Sequence, residues 1–278
     1  MEKFNKKKIT NIKKLFFKDG YVVLRSFYKK KEILSLLQSV ISILDLALSK
    51  KKIPLKKKLF KNTYDEINFK YLFLKKTNPK LKANVYNQLK KLDKLSYLFA
   101  NKKILQVVEE LISGNSMIDN MQIRIDDPSN DRLLNMHQEL NQKSLINITT
   151  WIPLQDILDK KIGGIQVAPG SHKNGFIEHQ ESGPNYNKYL GLNNHEMKKL
   201  KIKGVPVFLK AGDVLMFHPL LAHGSIPNKS NHIRWTSIAR YNSFNNLRLF
   251  YDGKEFYTGE KNQTLYKKFY NKKNFTWI

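Results

Sequence analysis

The second half of the chain is a series of short β-prone runs separated by turn residues, and this pattern restricts the possible fold most. The runs are rich in β-branched and aromatic residues and lie at 117–125, 144–153, 164–169, 205–209, 214–217 and 233–242. Short strands at this spacing are typical of a sandwich, jelly roll or barrel. The sequence therefore predicts a mainly β core.

The first 115 residues have a different texture and are predicted to be mostly helical. An amphipathic helix is expected at Lys29–Lys50, where apolar residues recur every three or four positions. The other elements expected here are an apolar segment and turn at 16–20, strands at 21–27 and 69–75, and helices at 83–98 and 101–112, the last with Gly114 as its C-cap.

These textures predict one domain over residues 1–278. It has a helical N-terminal layer at 1–115, a β core at 116–245 and a C-terminal extension at 246–278. Within the core, residues 181–203 form a polar loop with one helical turn around Asn194–Leu200. That loop is long enough to cover a site.

Composition excludes several kinds of site. The chain has no cysteine, so disulfides, zinc–thiolate sites, iron–sulfur clusters and a cysteine nucleophile are excluded, and any metal must bind nitrogen and oxygen ligands. The lysine-rich start lacks the apolar region of a secretory leader, and no stretch approaches the roughly 18 apolar residues of a membrane span. A cytoplasmic protein with no membrane span is expected.

The formal charge is +27, and most of it lies in the first 110 residues, which hold 28 basic and 9 acidic residues. An anionic partner would explain this charge, but so would a coding bias towards lysine, since the chain has 44 lysines and 6 arginines. Nucleic acid is not the expected partner, because nucleic-acid surfaces usually recruit arginine. No feature indicates a particular oligomeric state.

A histidine and a carboxylate lie two residues apart in the segment 135–140. In an extended segment, His137 and Glu139 would point to the same side. One imidazole and one carboxylate are two of the three ligands of a mononuclear iron(II) site, whose third ligand is usually a distant histidine. His223, which follows an apolar run, is the best candidate. The alternative is a pair of surface polar residues, with Asp126, Asp127 and Asp131 as weak rival loop acids.

The run after His223 carries a candidate anion site. Arg234, Thr236, Ile238 and Arg240 share one face of a strand. A guanidinium and a hydroxyl two residues apart suit a carboxylate, because the guanidinium binds both oxygens and the hydroxyl adds a third hydrogen bond. Arg240 is either a buried structural partner or a second anion contact.

These residues resemble the phytanoyl-CoA dioxygenase family of iron(II)/2-oxoglutarate oxygenases, with ectoine hydroxylase as a similar member. The matching motifs are Phe17–Leu24, Trp151–Leu154 followed by Gly163–Lys173, Ala211–His218, His223–Ser225, and Arg234 at the family's spacing after the histidine. The resemblance implies a double-stranded β-helix, a cupin-like jelly roll, with helices packed around it.

The resemblance also implies the chemistry. His137, Glu139 and His223 would bind Fe(II), Arg234 with Thr236 would bind the distal carboxylate of 2-oxoglutarate, and Gln122 would border the co-substrate pocket. With O2, such an enzyme would hydroxylate a small organic substrate and release succinate and CO2. The rival is an inactive family member that serves as a binding module for an anionic partner.

One departure from the family concerns the acidic ligand, since the family normally has aspartate where this chain has Glu139. The additional methylene means that the carboxylate must fold back to reach the same metal. Among the remaining candidates, His172 is either a substrate contact or a surface-turn residue, and Trp151 is a core or pocket-wall residue that would contact substrate. His218 either supports a metal ligand or packs in the core. His179, His195 and His232 are expected to be solvated.

Overall fold

The computed structural model describes residues 4–50, 59–128, 134–139, 147–182 and 189–243, together with 270–271 and 276–277. The helices in these ranges are α1 (Lys6–Asp19), α2 (Lys30–Lys50), α3 (Thr63–Thr77), α4 (Pro79–Leu89), α5 (Asp93–Phe99), α6 (Lys102–Ile112) and α7 (Asn194–Lys199). The strands are β1 (Tyr21–Leu24), β2 (Ser116–Asp126), β3 (Asn147–Pro153), β4 (Gly164–Val167), β5 (His179–Ser182), β6 (Tyr189–Leu192), β7 (Val205–Val207), β8 (Val214–Phe217), β9 (His223–Ile226), β10 (Arg234–Ser243), β11 (Tyr270–Asn271) and β12 (Thr276–Trp277).

Two antiparallel sheets form the β core. The larger has the strand order β1-β8-β3-β10-β2, and the smaller has the order β7-β4-β9. Apolar side chains from both sheets pack together between them, including Trp151, Ile165, Leu215 and Ile238. This arrangement confirms the predicted jelly-roll core.

The helices cover the outer face of the larger sheet. Side chains alternate along β10, so that Trp235, Ala239 and Tyr241 join the helical core while Ile238 faces the other sheet. The same alternation places Arg234, Thr236 and Arg240 on the face of Ile238. The helical layer thus leaves the polar face of β10 directed into the barrel.

Asparagine side chains begin several helices, and these caps set the boundaries of the layer. The side chain of Asn62 accepts hydrogen bonds from the backbone N–H groups of Tyr64 and Asp65 at the start of α3. Asn101 does the same for Lys103 and Ile104 at the start of α6.

Four predictions for the N-terminal layer were wrong. The C-cap of α6 is Ser113 in the left-handed conformation (φ 54°), not Gly114. The run 69–75 is part of α3, in which Ile67, Tyr71 and Leu74 are buried on one face. The single helix expected at 83–98 is two helices, α4 and α5. The segment before Gly20 belongs to α1, and Gly20 (φ 81°) ends that helix in the left-handed conformation.

Helix α2 is long and apolar enough to cross a membrane. Seven of its apolar side chains, however, are buried in the protein's own core: Ile33, Leu36, Leu37, Val40, Ile41, Leu44 and Leu48. Because this face packs against the other helices of the layer, α2 has the features of a core helix.

The segment predicted as a polar loop at 181–203 contains more structure than expected. Strands β5 and β6 pair as an antiparallel ladder, and α7 coincides with the predicted helical turn. Residues 183–188 lie outside the described residues, as does the C-terminal extension except for the paired β11 and β12.

Candidate metal centre and co-substrate pocket

Backbone hydrogen bonds bring the His137–Glu139 segment against the chain that leads into β9. The N–H of His137 donates to the carbonyl of His223 at 2.8 Å, and the N–H of His223 donates to the carbonyl of His137 at 3.0 Å. The N–H of Glu139 donates to the carbonyl of Pro219 at 2.9 Å. The two segments are therefore paired, and residues 86 positions apart in the sequence become neighbours.

This pairing gathers the three predicted ligands. One ligand atom from each of His137, Glu139 and His223 lies within 4.8 Å of the others. Nε2 of His223 is 3.6 Å from Oε1 of Glu139. Glu139 and His223 are buried, at 7% and 4% exposure, and His137 is partly buried. Two imidazoles and one carboxylate at these distances are a donor set that suits iron(II).

Both imidazoles are oriented by backbone carbonyls. Nδ1 of His137 lies 2.8 Å from the carbonyl oxygen of Asn135, and Nδ1 of His223 lies 2.9 Å from that of Leu221. A carbonyl accepts a hydrogen bond, so each Nδ1 carries the proton. The Nε2 lone pairs are then available to a metal, which is the arrangement that metal-binding histidines commonly have.

The charge states of the ligands also suit a metal. Burial lowers the pKa of His137 to about 3, with a further contribution from His223. Burial acts to raise the pKa of Glu139, but the Arg240 guanidinium and His223 outweigh it and hold that pKa well below its ordinary value. At neutral pH, His137 is neutral and Glu139 is a carboxylate, as metal ligation requires.

Gln138 fixes the segment between the two ligands. Its side-chain amide donates to the carbonyls of Gly175 and Leu220, and its oxygen accepts from the N–H of Ile177. Its backbone N–H donates to Nε2 of His179 at 3.0 Å. The sequence analysis did not single out Gln138, because its side chain points away from His137 and Glu139 in an extended segment and its partners lie 37 to 82 residues away.

The expectation that His179 is solvated was wrong, because it is 7% exposed. Its Nδ1 lies 2.6 Å from the carbonyl oxygen of Ile177. Burial lowers the pKa of His179 to about 4. His179 therefore stays neutral and offers Nε2 as the acceptor for Gln138. His195 and His232 are exposed, as expected.

Arg234 is buried inside the barrel, on the inward face of β10. It is 3% exposed, and Asp126 Oδ2 accepts from its Nε and NH2 nitrogens at 3.2 and 2.9 Å. Its NH1 donates to the carbonyl of Ile226 at 3.0 Å. These contacts use three of the five guanidinium N–H groups. Asp126 was expected in a loop as a rival ligand, but it ends β2 and also binds Arg124.

The hydroxyl of Thr236 lies on the same face as Arg234. Thr236 is fully buried, and its Oγ1 has no hydrogen-bond partner within the described part of the chain. A buried hydroxyl without a partner is costly, so it suits a site that a ligand completes. Ile226, which contacts Arg234, is three residues beyond His223 on β9, or about 10 Å at 3.3 Å per residue. The backbone that accepts a hydrogen bond from Arg234 is thus on the same strand as one candidate ligand.

The other predicted site residues are placed as follows. Gln122 is partly buried on β2, opposite Ile238 and on the inward face. Trp151 is buried in the core between the sheets. His172 is fully buried where α1 meets the barrel, with Nε2 3.1 Å from the carbonyl oxygen of Phe17 and its ring 5.2 Å from that of His218. It is therefore not a surface-turn residue, and substrate contact by His172 and Trp151 stays a prediction.

Comparison with known sequences gives one family. The sequence model described as phytanoyl-CoA dioxygenase (PhyH) matches residues 16–236. The peroxisomal phytanoyl-CoA dioxygenase of Homo sapiens is 31% identical over 107 residues, covering 36% of this chain and 30% of that protein. The 1-deoxypentalenic acid 11-beta-hydroxylase of Streptomyces exfoliatus is 34% identical over 96 residues, covering 30% and 29%. The chain thus matches about a third of the length of these curated relatives.

Solved structures share the fold. The epimerase SnoN in complex with Fe3+, alpha ketoglutarate and nogalamycin RO superimposes with a TM-score of 0.59 at 14% identity, covering 86% of this chain and 85% of that one. EctD from S. alaskensis with 2-oxoglutarate and 5-hydroxyectoine gives 0.55 at 17% identity, covering 87% and 77%. Identities this low show a common fold alone.

Proposed function

Because the chain belongs to the phytanoyl-CoA dioxygenase family, we propose that it is an iron(II)/2-oxoglutarate-dependent dioxygenase that hydroxylates a small organic molecule. The observation that carries the proposal is the convergence of His137, Glu139 and His223, with the buried Arg234 and the unpartnered Thr236 hydroxyl on the inward face of the neighbouring strand β10. Together they offer a metal site and an anion site inside one barrel.

In this proposal, the two histidines and Glu139 hold iron(II), which with O2 and 2-oxoglutarate supplies the oxidising chemistry and yields succinate and CO2. Arg234 donates two remaining N–H groups to the distal carboxylate of 2-oxoglutarate, and Thr236 donates its hydroxyl. Asp126 keeps the guanidinium oriented before the co-substrate arrives, which lowers the cost of ordering it on binding. Gln122 borders this pocket.

The apolar side chains between the sheets should limit the access of water to this pocket. Trp151, Leu215 and Ile238 are buried in one cluster, and Ile238 lies on the same face of β10 as Arg234 and Arg240. A low local dielectric strengthens the contact between a guanidinium and a carboxylate. It also protects the oxidising reaction from stray water.

Succinate release is the direct test. The purified protein is given iron(II), ascorbate, O2 and 2-oxoglutarate with a panel of small metabolites, and succinate is measured with and without each compound. We expect release in the wild type that is lost in His223→Ala and retained in His195→Ala, a matched change of an exposed histidine. Thr236→Val should raise the 2-oxoglutarate concentration needed for half-maximal release.

An anaerobic titration separates this proposal from the rival binding module. With iron(II) and 2-oxoglutarate, the enzyme should show a visible charge-transfer band that His137→Ala removes. A binding module would show no band and no succinate, together with polyanion binding that weakens steeply with salt and survives His137→Ala. That combination would replace the enzymatic proposal with the rival.

A further inference from the structure

Arg240 binds both carboxylate oxygens of Glu139, the candidate acidic ligand. Its Nε donates to Oε2 of Glu139 and its NH2 donates to Oε1, each at 3.2 Å. The side chains are 17% and 8% exposed, so the ion pair is largely withdrawn from water. With one nitrogen on each oxygen, the guanidinium occupies the edge of the carboxylate that lies between its two oxygens.

The local structure of the larger sheet directs Arg240 to this position. Arg240 shares the inward face of β10 with Thr236 and Ile238, and the register between β10 and β2 shifts between Arg240 and Tyr241. Asn120 pairs with Arg240 and Ile118 with Tyr241, so β2 carries one additional residue here. Bulges of this kind at barrel rims re-aim the neighbouring side chains.

The backbone of Glu139 is held independently of this ion pair. Its N–H is bonded to the carbonyl of Pro219, and the preceding Gln138 is fixed by its own hydrogen bonds. What remains variable is the side chain, which has one more rotatable bond than the aspartate usual in the family. Arg240 therefore decides which atoms of the carboxylate are presented to a metal.

A carboxylate binds a metal through one oxygen or chelates it through both. Chelation uses the edge between the two oxygens, which is the edge that Arg240 occupies. In an octahedral ion, three protein atoms leave the opposite face for 2-oxoglutarate and O2. A fourth protein atom, from a chelating glutamate, would take one of these positions.

We propose that Arg240 is a positioning residue that restricts Glu139 to ligation through a single oxygen and so keeps a coordination position open for the co-substrate. Both oxygens accept a hydrogen bond from Arg240, and Oε1, which lies 3.6 Å from Nε2 of His223, is the oxygen placed to bind the metal through its outer lone pair. This inference rests on the proposed function. It explains how the chain accommodates glutamate at this position, although the glutamate side chain is longer than that of aspartate and can chelate the metal through both oxygens.

Two substitutions separate the effect of the two-nitrogen contact between Arg240 and Glu139 from the effect of the positive charge of Arg240. Arg240→Gln removes both, whereas Arg240→Lys keeps the charge but offers a single nitrogen, which cannot cover both oxygens. Arg25→Gln is the matched control, since it breaks another arginine–carboxylate pair, with Asp213, at a side chain that is 58% exposed. Circular dichroism establishes that each variant is folded.

Two anaerobic measurements are made on each protein. Manganese(II) affinity is obtained from electron paramagnetic resonance titration without 2-oxoglutarate. Affinity for 2-oxoglutarate is then obtained from the charge-transfer band at saturating iron(II). We expect both Arg240 variants to bind manganese(II) at least as tightly as the wild type, because the carboxylate gains a second contact. We expect 2-oxoglutarate binding to weaken about tenfold or more in both, with Arg25→Gln unchanged.

Several results would overturn the inference. An unchanged 2-oxoglutarate affinity in both Arg240 variants would show that the two-nitrogen contact of Arg240 does not control how Glu139 coordinates the metal. Wild-type behaviour of Arg240→Lys alone would assign the effect to charge. Loss of manganese(II) binding in both variants would show that Arg240 is needed for ligation itself. A wild-type protein without the band would instead refute the proposed function, and this inference with it.

Discussion

Gly163 lies against the arginine proposed to anchor 2-oxoglutarate, and Gly163→Ala tests that anchor without altering any hydrogen-bonding group. Gly163 has φ 77°, and a Cβ built there would lie 2.3 Å from NH1 of Arg234, 2.5 Å from the carbonyl oxygen of Ile226 and 2.8 Å from that of Pro227. Two of these atoms are backbone and the third is held by hydrogen bonds, so the site cannot adjust without breaking contacts.

Gly170 provides a matched control. Its φ is 76°, almost the same, but a Cβ there would meet nothing within 4 Å. Gly170→Ala thus carries only the cost of the left-handed conformation, about 1–2 kcal/mol. Gly163→Ala adds the cost of overpacking, typically 1–3 kcal/mol, for a total of about 2–5 kcal/mol. The difference between the two variants isolates the clash at Arg234.

Two assays measure this difference. Urea unfolding of the metal-free proteins gives the free energies, and anaerobic titration of the charge-transfer band gives 2-oxoglutarate affinity. Displacing Arg234 removes a hydrogen bond between charged groups, so we expect Gly163→Ala to bind 2-oxoglutarate about tenfold more weakly or worse. Gly170→Ala should bind it as the wild type does. Equal stability and equal affinity of the two variants would refute the placement of Arg234 beside Gly163.

Three further predictions concern the buried polar groups. Asp126→Asn should weaken 2-oxoglutarate binding and lower the free energy of unfolding by about 1–3 kcal/mol, because the buried guanidinium of Arg234 loses its charged partner. Unchanged urea unfolding curves and unchanged 2-oxoglutarate affinity would contradict this prediction. His179→Phe should reduce metal affinity about tenfold or more, since Gln138 loses its acceptor; manganese(II) titration against His195→Ala provides the check. The pKa of His179 is lowered to about 4 in the folded protein. Between about pH 6.5 and pH 4 the unfolded chain therefore binds more protons at this residue than the folded protein does. The free energy of unfolding should fall as pH falls through this window, and His179 contributes at most about 1.4 kcal/mol per pH unit. Urea curves for His179→Phe should show a shallower pH dependence, and an identical slope would show that His179 does not titrate as inferred.

The jelly-roll core could be predicted because its signal is local. The strands β2, β3, β4, β7, β8 and β10 carry β-branched or aromatic residues and end at turns, whereas β9 (His223–Ile226) was not among the predicted runs. The errors arose where propensity and tertiary packing disagree. The run 69–75 is rich in aromatic residues, which favours strand, but the cap at Asn62 and the buried face of α3 make it helical.

The grouping of His137, Glu139 and His223 could also be anticipated, because spacing and family resemblance act together at these residues, and their role as metal ligands stays a prediction. The supporting groups could not. Asp126 was expected in a loop, and only the pairing of β2 with β10 places it opposite Arg234. Arg240 was left between two roles, and its contact with Glu139 spans 101 positions. Such contacts depend on register and on a bulge, which no local pattern encodes.

The mutual backbone hydrogen bonds between His137 and His223 have a consequence for how the protein acquires iron. Since the two segments are joined by amides and carbonyls, folding alone gathers the ligands, and their arrangement does not wait for the ion. Metal binding should then be a local event in an already folded barrel, and treatment with a chelator should leave the barrel folded.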